Sequence, residues 1–119
     1  MKRILLLEDN YAMRQVIEET LEIIGYDVQA YGHVRDGLDA LQSACQPPNL
    51  IISDIRMPDI TGFEFLQNVR CHDYYADIPF ILMSGSPHDE HEAARCGASA
   101  FIVKPFKHHE FEAVIERFI

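Results

Sequence analysis

The sequence contains no long apolar run and little positive charge, and these two absences limit its partners. The first apolar run, residues 4–7, is much shorter than a signal-peptide core and is followed at once by Glu8 and Asp9. Ten lysine and arginine residues stand against 19 aspartate and glutamate residues, which gives a formal net charge of −9. This charge repels the phosphates of nucleic acids and of anionic membranes, so we expect the domain to bind neither.

Cysteine is also scarce, since only Cys45, Cys71 and Cys96 occur and no Cys-x-x-Cys pair is present. An odd number of widely spaced cysteines offers neither a disulfide framework nor a metal site. We interpret them as small apolar or incidental surface residues, and we expect a cytoplasmic protein in a reducing environment.

Linkers, internal repeats and low-complexity tracts are absent as well. The 119 residues are 48% hydrophobic and 24% charged, which is typical of a globular chain. We therefore predict one domain over residues 1–119, because the chain is large enough for a single core and too short for two.

Five short apolar runs predict five β-strands. They lie at residues 4–7, 28–31, 50–52, 80–83 and 101–103. Most are continuously apolar and do not alternate, as expected for parallel strands that helices cover on both faces.

Apolar residues spaced three and four apart predict helices between these strands. The stripes are Met13, Val16, Ile17, Leu21 and Ile24, then Val34, Leu38, Leu41 and Cys45, then Leu66 and Val69, and finally Phe111, Val114, Ile115 and Phe118. Gly25 can end the first helix, Pro47-Pro48 closes the second, and Thr61-x-x-Glu64 has the form of a capping box that begins the third.

Residues 87–96 predict a fourth helix that is weakly anchored, because only Ala93, Ala94 and Cys96 are available for burial. We expect this element to be the one that moves. Strands that alternate with helices predict an α/β fold with right-handed crossovers and an open parallel sheet wound on both sides. In such sheets the ligand site lies beyond the carboxyl ends of the strands.

Reactive side chains follow four of the predicted strands. They are Glu8 and Asp9 after the first, Asp54 after the third, Ser84 after the fourth and Lys104 after the fifth. If strands one and three are neighbours, three carboxylates share one cleft, and a cation must offset their repulsion. An all-oxygen set of carboxylates, waters and a phosphate suits Mg²⁺, while an ammonium and a hydroxyl can hold phosphoryl oxygens.

Four motifs occur in order over essentially the whole chain: LLEDN at 6–10, IISDIRMPDITGFE at 51–64, MSG at 83–85 and GASAFIVKPF at 97–106. Together they resemble the receiver domain of bacterial response regulators, which act in two-component signalling. The resemblance implies a flavodoxin-like, doubly wound, five-stranded parallel sheet in the order 2-1-3-4-5 with five helices.

The resemblance also implies the chemistry of the site. Asp54 would be the phosphoacceptor, taking a phosphoryl group from a histidine kinase or a histidine phosphotransfer protein and making the chain a phosphoprotein. Mg²⁺ would be held by Asp9, Asp54 and the backbone carbonyl of Arg56, with Glu8 acting through water. Lys104 would contact the phosphoryl group. The domain would not be an enzyme with a separate substrate, although it could catalyse its own phosphorylation and dephosphorylation.

Ser84 and Phe101 would be the switch residues, with Ser84 swinging toward the phosphoryl group and Phe101 turning inward behind it. Serine and phenylalanine replace the threonine and tyrosine that are frequent at these positions, and neither change breaks the mechanism. Arg56 and Ser86 occupy the positions that help set the lifetime of the phosphoryl group, which the sequence leaves open. It also leaves open whether the Lys104–Pro105 bond is cis.

Partners follow from the same resemblance. Phosphorylation would change the surface of helix four, strand five and helix five, which would meet a downstream effector or a second receiver in a homodimer. The sequence does not identify the kinase, the stimulus, the output domain or the oligomeric state, nor whether the chain is a stand-alone receiver or a fragment.

Each of these residues, taken alone, has another interpretation. Glu8 and Asp9 alone could cap a helix, Asp54 alone could be a turn residue and Lys104 alone a surface charge. Joint placement at four strand ends disfavours all three. His88-x-x-His91 and His108-His109 lack a third ligand of matched spacing, so we expect them at the surface.

Two other functional classes fit the sequence less well. An aspartyl-phosphate phosphatase of the haloacid-dehalogenase type needs an acid two residues after its nucleophile, where this chain has Arg56. A degenerate receiver or flavin-binding module is disfavoured because all the reactive residues are present and the acidic turn after strand one is a poor cradle for a flavin phosphate.

Overall fold

The computed structural model of the chain describes residues 1–119 and has every predicted strand and helix. The elements are β1 (Arg3–Leu7), α1 (Tyr11–Ile24), β2 (Asp27–Tyr31), α2 (Val34–Ser43), β3 (Leu50–Asp54), α3 (Gly62–Cys71), β4 (Phe80–Ser84), α4 (Glu90–Arg95), β5 (Ala100–Val103) and α5 (His108–Glu116). A single 3-10 turn, Pro87–Asp89, precedes α4. Each strand is one or two residues longer than its apolar run.

The five strands form one parallel sheet in the order β2-β1-β3-β4-β5, which confirms the predicted doubly wound topology. Strand order reverses between β1 and β3, whose carboxyl ends therefore lie side by side. Such a switch point leaves a crevice that connecting helices on opposite faces do not fill.

Each face of the sheet carries its own core, because successive strand residues point to opposite faces. Leu5, Leu7, Ile51, Phe80 and Leu82 pack against residues of α2, α3 and α4. The other face is formed by Ile4, Leu6, Ile52, Ile81 and Met83 together with residues of α1 and α5. The sheet interior is thus dry on both sides, which holds the strand ends in fixed positions.

Helix ends are set by local chemistry. Asn10 caps α1 by accepting from the Met13 N–H at 2.9 Å, and Gly25 ends that helix in a left-handed conformation with a φ of 119°. Thr61 accepts from the Glu64 N–H at 3.2 Å, as the capping box predicts. The Glu64 carboxylate, however, meets the Thr61 hydroxyl and not its backbone N–H.

Four details of the predicted stripes are wrong. Val16 is 51% exposed because Ile17 and Leu21 define the buried side of α1, and Val16 lies to one edge of it. Cys45 is exposed beyond the end of α2, since the chain turns to an extended conformation at Ala44. Phe118 lies past α5, although it packs against the core. Ala94 is exposed, which leaves Ala93 as the one fully buried residue of α4.

No helix has both the length and the hydropathy needed to cross a bilayer.

Candidate functional site

The predicted site residues meet at the carboxyl edge of the sheet. Leu7 pairs with Ser53 across β1 and β3, so the next residues along, Glu8 and Asp54, lie side by side. Ser84 pairs with Val103 across β4 and β5, and the Lys104 N–H donates to the Ser84 carbonyl at 2.8 Å. Strand register therefore brings all four strand ends to one crevice.

Three carboxylates form the acidic cluster of this site: Glu8, Asp9 and Asp54. One ligand oxygen from each lies within 4.8 Å of the other two. Glu8 is fully buried and Asp54 is 5% exposed, whereas Asp9 is open to solvent. The cluster thus has a buried base and an open rim, which is the shape that a site loaded from solvent requires.

Lys104 reaches into the acidic cluster from β5. Its ammonium lies 2.7 Å from Glu8 Oε1 and 3.0 Å from Asp54 Oδ2. Burial acts to lower the pKa of Lys104, but the hydrogen bonds to Glu8 and Asp54 outweigh it and raise that pKa above its ordinary value. The lysine is therefore charged at neutral pH and bridges the two buried carboxylates.

Glu8 is the carboxylate at the buried base of the cluster. Burial raises the pKa of Glu8 above its ordinary value; the hydrogen bond from Lys104 opposes this shift, and the negative charge of Asp54 adds to it. Both Glu8 oxygens are already used, because Oε2 accepts from the Asn10 N–H at 3.2 Å. In contrast, Asp54 Oδ1 has no donor within the chain and remains in contact with solvent.

The backbone of Asp54 is held by the start of α3. A Cβ atom on Gly62 would lie only 2.4 Å from the Asp54 carbonyl oxygen, so this position requires glycine. The Gly62 N–H donates to the Ile55 carbonyl at 2.8 Å, which fixes the loop that follows the acceptor. Gly62 belongs to the motif at residues 51–64, but the sequence did not indicate that its small size makes room for the Asp54 backbone.

Ser84 lies at the same edge, yet its hydroxyl is engaged with a residue that the sequence analysis did not assign to the site. The hydroxyl donates to Asp89 Oδ2 at 2.5 Å and accepts from the Ser86 N–H at 3.0 Å. Arg56, two residues after Asp54, donates to the same Asp89 oxygen at 3.1 Å. No sequence signal distinguishes Asp89 from the other acids of this segment.

The remaining predicted residues are also accounted for. Phe101 is half-buried and packs against the α2–α3–α4 side of the core. The Lys104–Pro105 bond is cis. His88, His91, His108 and His109 are exposed, as expected. The helix-capping alternative for Glu8 and Asp9 is wrong, because Asn10 caps α1.

The residues present fit a small divalent cation. Three carboxylates face one ammonium, so the cluster keeps an excess of negative charge that a cation would offset. All candidate ligands are oxygens, and the Arg56 carbonyl, two residues after Asp54, accepts no hydrogen bond from the chain. A hard, all-oxygen set of this kind suits Mg²⁺.

Comparisons with known proteins agree with this geometry. A family model described as the response regulator receiver domain matches residues 4–116. RpaA of Synechocystis, a DNA-binding dual master transcriptional regulator, is 34% identical over 116 residues, which are 95% of this chain and 47% of that protein. The chain spans less than half the length of the first curated relatives that it matches.

Solved structures with the same fold cover the chain completely. Chemotaxis response regulator CheY4 of Vibrio cholerae superimposes with a TM-score of 0.90 and 32% identity, covering 100% of this chain and 99% of that one. Response regulator TrrA of Thermotoga maritima, in complex with Mg²⁺-BeF, has a TM-score of 0.90 and 27% identity over 100% of both chains.

Proposed function

The chain belongs to the response regulator receiver domain family of two-component signalling, and we propose that Asp54 accepts a phosphoryl group in a Mg²⁺-dependent reaction. The observation that carries this proposal is the Lys104 ammonium, which bridges Glu8 and Asp54 and leaves Asp54 Oδ1 free. A carboxylate with one oxygen held and the other open is positioned to act as a nucleophile.

In the proposed reaction Asp54 Oδ1 attacks the phosphorus of a phosphohistidine on a histidine kinase or phosphotransfer protein. The new P–O bond forms an acyl phosphate, and the P–N bond breaks with its electron pair remaining on the imidazole nitrogen. Lys104 supplies positive charge to the phosphoryl oxygens, and the fixed strand end holds Asp54 in line. Phosphoryl transfer needs little more than this positioning and charge neutralisation.

Asp9, Asp54 and the Arg56 carbonyl would hold Mg²⁺, and Glu8 would act through water. Both oxygens of Glu8 are occupied within the chain, which supports an indirect role. When bound, the ion neutralises charge on the phosphoryl oxygens. The complex of TrrA with Mg²⁺-BeF supports the same assignment by likeness.

The response is proposed to pass through Ser84 and Phe101 to the surface of α4, β5 and α5. A phosphoryl group adds about −1.5 to −2 charge units, enough to draw the Ser84 hydroxyl toward it. The altered surface would bind an effector or a second receiver, and Arg56 and Ser86 would tune the phosphoryl lifetime. We also propose that residues 1–119 act as one receiver domain in the cytoplasm, which the three free cysteines support.

Nothing in the comparisons supports a phosphatase of the haloacid-dehalogenase type. Position 56, where such an enzyme needs an acid, holds an arginine paired to Asp89. The domain is thus proposed as a phosphoacceptor that catalyses, at most, its own phosphorylation and dephosphorylation.

The test is phosphorylation by a small acyl-phosphate donor, followed by intact-protein mass spectrometry. Wild type should gain one phosphoryl group with Mg²⁺ and none when the metal is chelated, and Asp54→Asn should gain none. Asp27→Asn, which removes an exposed carboxylate at the opposite, amino edge of the sheet, is the matched control and should react like wild type. Unmodified wild type under saturating donor and Mg²⁺ would refute the proposal.

A further inference from the structure

Asp89, the last residue of the 3-10 turn before α4, binds the two side chains that phosphorylation is expected to use. Its Oδ2 atom accepts from the Ser84 hydroxyl and from the Arg56 guanidinium. Its side chain is 16% exposed, so the carboxylate is largely withdrawn from water. Neither the 3-10 turn nor α4 uses a side chain as its cap, so this carboxylate has no structural task in the helix.

The Ser84 bond is exclusive. A hydroxyl has one proton, and the Ser84 oxygen already accepts from the Ser86 N–H, so this proton can go either to Asp89 or to a phosphoryl oxygen, but not to both. Ser84 is 1% exposed, which makes a charge-assisted bond to a carboxylate strong at this position. Releasing the hydroxyl from Asp89 must therefore precede or accompany its movement toward Asp54.

Arg56 adds a weaker second bond to the same oxygen. Its side chain is 65% exposed, so the ion pair with Asp89 contributes little by itself. Its backbone, however, lies two residues after Asp54, and a phosphoryl group there carries more negative charge than one carboxylate. Both donors of Asp89 thus have a stronger acceptor available after phosphorylation.

We propose that Asp89 is a positioning residue that holds Ser84, and secondarily Arg56, in the unphosphorylated arrangement and so competes with the phosphoryl group for them. This inference rests on the proposed function of Asp54. Phosphorylation would leave the Asp89 carboxylate without either donor at the start of α4, which gives that helix a direct reason to move. Removing the carboxylate would shift the population toward the phosphorylated arrangement.

Beryllofluoride with Mg²⁺, a stable mimic of the acyl phosphate, tests the proposal without turnover. Its affinity for each variant can be measured by ¹⁹F NMR. Asp89→Ala should bind about three- to tenfold more tightly than wild type, the range expected when a charge-assisted hydrogen bond is lost from the competing state only. Asp89→Asn retains a neutral acceptor, so its affinity for beryllofluoride should lie between those of wild type and Asp89→Ala.

Two controls separate this role from a general effect of charge or folding. Glu90→Gln removes one negative charge from the adjacent, exposed position and should bind like wild type. In a Ser84→Ala background, Asp89→Ala should change the affinity by less than about twofold, since only the exposed Arg56 pair remains. The amide shifts of Ser84 and Ser86 in free Asp89→Ala should move toward their beryllofluoride-bound values.

The possible outcomes are distinct. Unchanged or weaker binding by Asp89→Ala, with Asp89→Asn agreeing, would refute the role of Asp89 while leaving the function of Asp54 intact. If Asp89→Ala raised the affinity for beryllofluoride equally in the wild-type and Ser84→Ala backgrounds, Asp89 would not act through Ser84. That result would also refute the proposed role of Asp89. Failure of wild type to bind beryllofluoride would overturn the proposed function and this inference together.

Discussion

The two halves of the site differ in what their side chains bind. In the acidic half, the Lys104 ammonium donates to both Glu8 and Asp54, at the place where the phosphoryl group is proposed to form. In the hydroxyl half, Ser84 is bonded to Asp89 instead. The first half is thus assembled in the absence of a phosphoryl group, whereas the second is proposed to exchange partners when that group forms.

The helices beside the two halves differ in how many residues they bury, and the helix of the acidic half buries more. The helix α3, which begins against the Asp54 backbone, buries Gly62, Phe65, Leu66 and Val69. The helix α4, which follows Ser84, has six residues and fully buries only Ala93. Burial of apolar surface is the main source of local stability, so the acidic half rests on the firmer support.

Removing the Lys104 ammonium should destabilise the acidic half more than any other change considered. Lys104→Ala leaves Glu8 and Asp54 facing each other with 1% and 7% of their side chains exposed. Breaking a fully buried pair costs about 3–5 kcal/mol, and we expect about 2–3 kcal/mol here because Lys104 retains 18% exposure. Urea unfolding without metal measures the loss.

Lys107→Ala is the matched control, because Lys107 is exposed and forms no ion pair; it should change the free energy of unfolding by less than about 0.5 kcal/mol. If Lys104→Ala lowered the free energy of unfolding by less than about 1 kcal/mol, the buried ion pairs would be no stronger than a surface salt bridge. That result would contradict the view that Lys104 holds the acidic half together.

Mg²⁺ binding should sharpen the comparison between the two halves, because the carboxylates proposed to hold the ion all belong to the acidic cluster. At a tenfold excess of Mg²⁺ over its Kd, wild type should gain about 1.4 kcal/mol in the free energy of unfolding. Asp9→Asn removes the open ligand of the cluster and should lose most of that gain, while chelation should abolish it in both proteins. The measurement is urea unfolding at several Mg²⁺ concentrations.

Asp27→Asn provides the control for this charge change, since Asp27 is an exposed aspartate at the opposite, amino edge of the sheet. It should respond to Mg²⁺ as wild type does. If Asp9→Asn were stabilised as strongly as wild type, the acidic cluster would not be the metal site.

The acidic half and the place of Ser84 at a strand end could be predicted from the sequence, whereas the bond between Ser84 and Asp89 could not, for a physical reason. Parallel strands place their carboxyl ends at one edge, so the residues that follow them converge whatever the details of packing. The bond between Ser84 and Asp89 depends on how the 3-10 turn folds back, which no apolar spacing encodes. Likewise, helical spacing placed Val16 in the stripe of α1, but only packing on the sheet determines where that stripe is centred.

Long-range caps were missed for the same reason. Asp59, on the loop after β3, accepts from the Val34 and Arg35 N–H groups at 3.1 and 3.0 Å and so caps α2 across 25 residues of sequence. The local residue at that helix start, His33, makes no capping bond. A capping search along the sequence examines only neighbouring positions and cannot find such a partner.

Asp59→Ala should therefore destabilise α2, which packs on the same face of the sheet as α3, and lower the free energy of unfolding by about 0.5–2 kcal/mol, as for other helix caps. Burial acts to raise the pKa of Asp59, but the backbone hydrogen bonds outweigh it and hold that pKa below its ordinary value of 3.8. The stabilisation is thus complete well above pH 3.8, begins to fall as the pH approaches that value and is lost as the pH falls through the lowered pKa.

Urea unfolding of wild type and Asp59→Ala from neutral pH downward measures this dependence. The difference between their free energies of unfolding should be constant from neutral pH down to about pH 5 and should become smaller below it. Asp59→Asn, which keeps an acceptor without the charge, should show a smaller loss at neutral pH. A gap that widens with acid would mean that Asp59 stabilises the fold only when protonated, which contradicts its role as a cap.

The smallest effect tests the hydroxyl half without any mutation. Amide hydrogen exchange of Ala94 and Arg95 in α4, and of its C-cap Cys96, should be at least about tenfold faster than that of Phe65–Val69 in α3, because a single buried residue anchors α4. The mimic beryllofluoride with Mg²⁺ should change protection in α4 more than in α3, since Ser84 and Asp89 exchange partners beside it. Equal protection of the two helices, before and after the mimic binds, would remove the distinction between a preassembled half and a responding one.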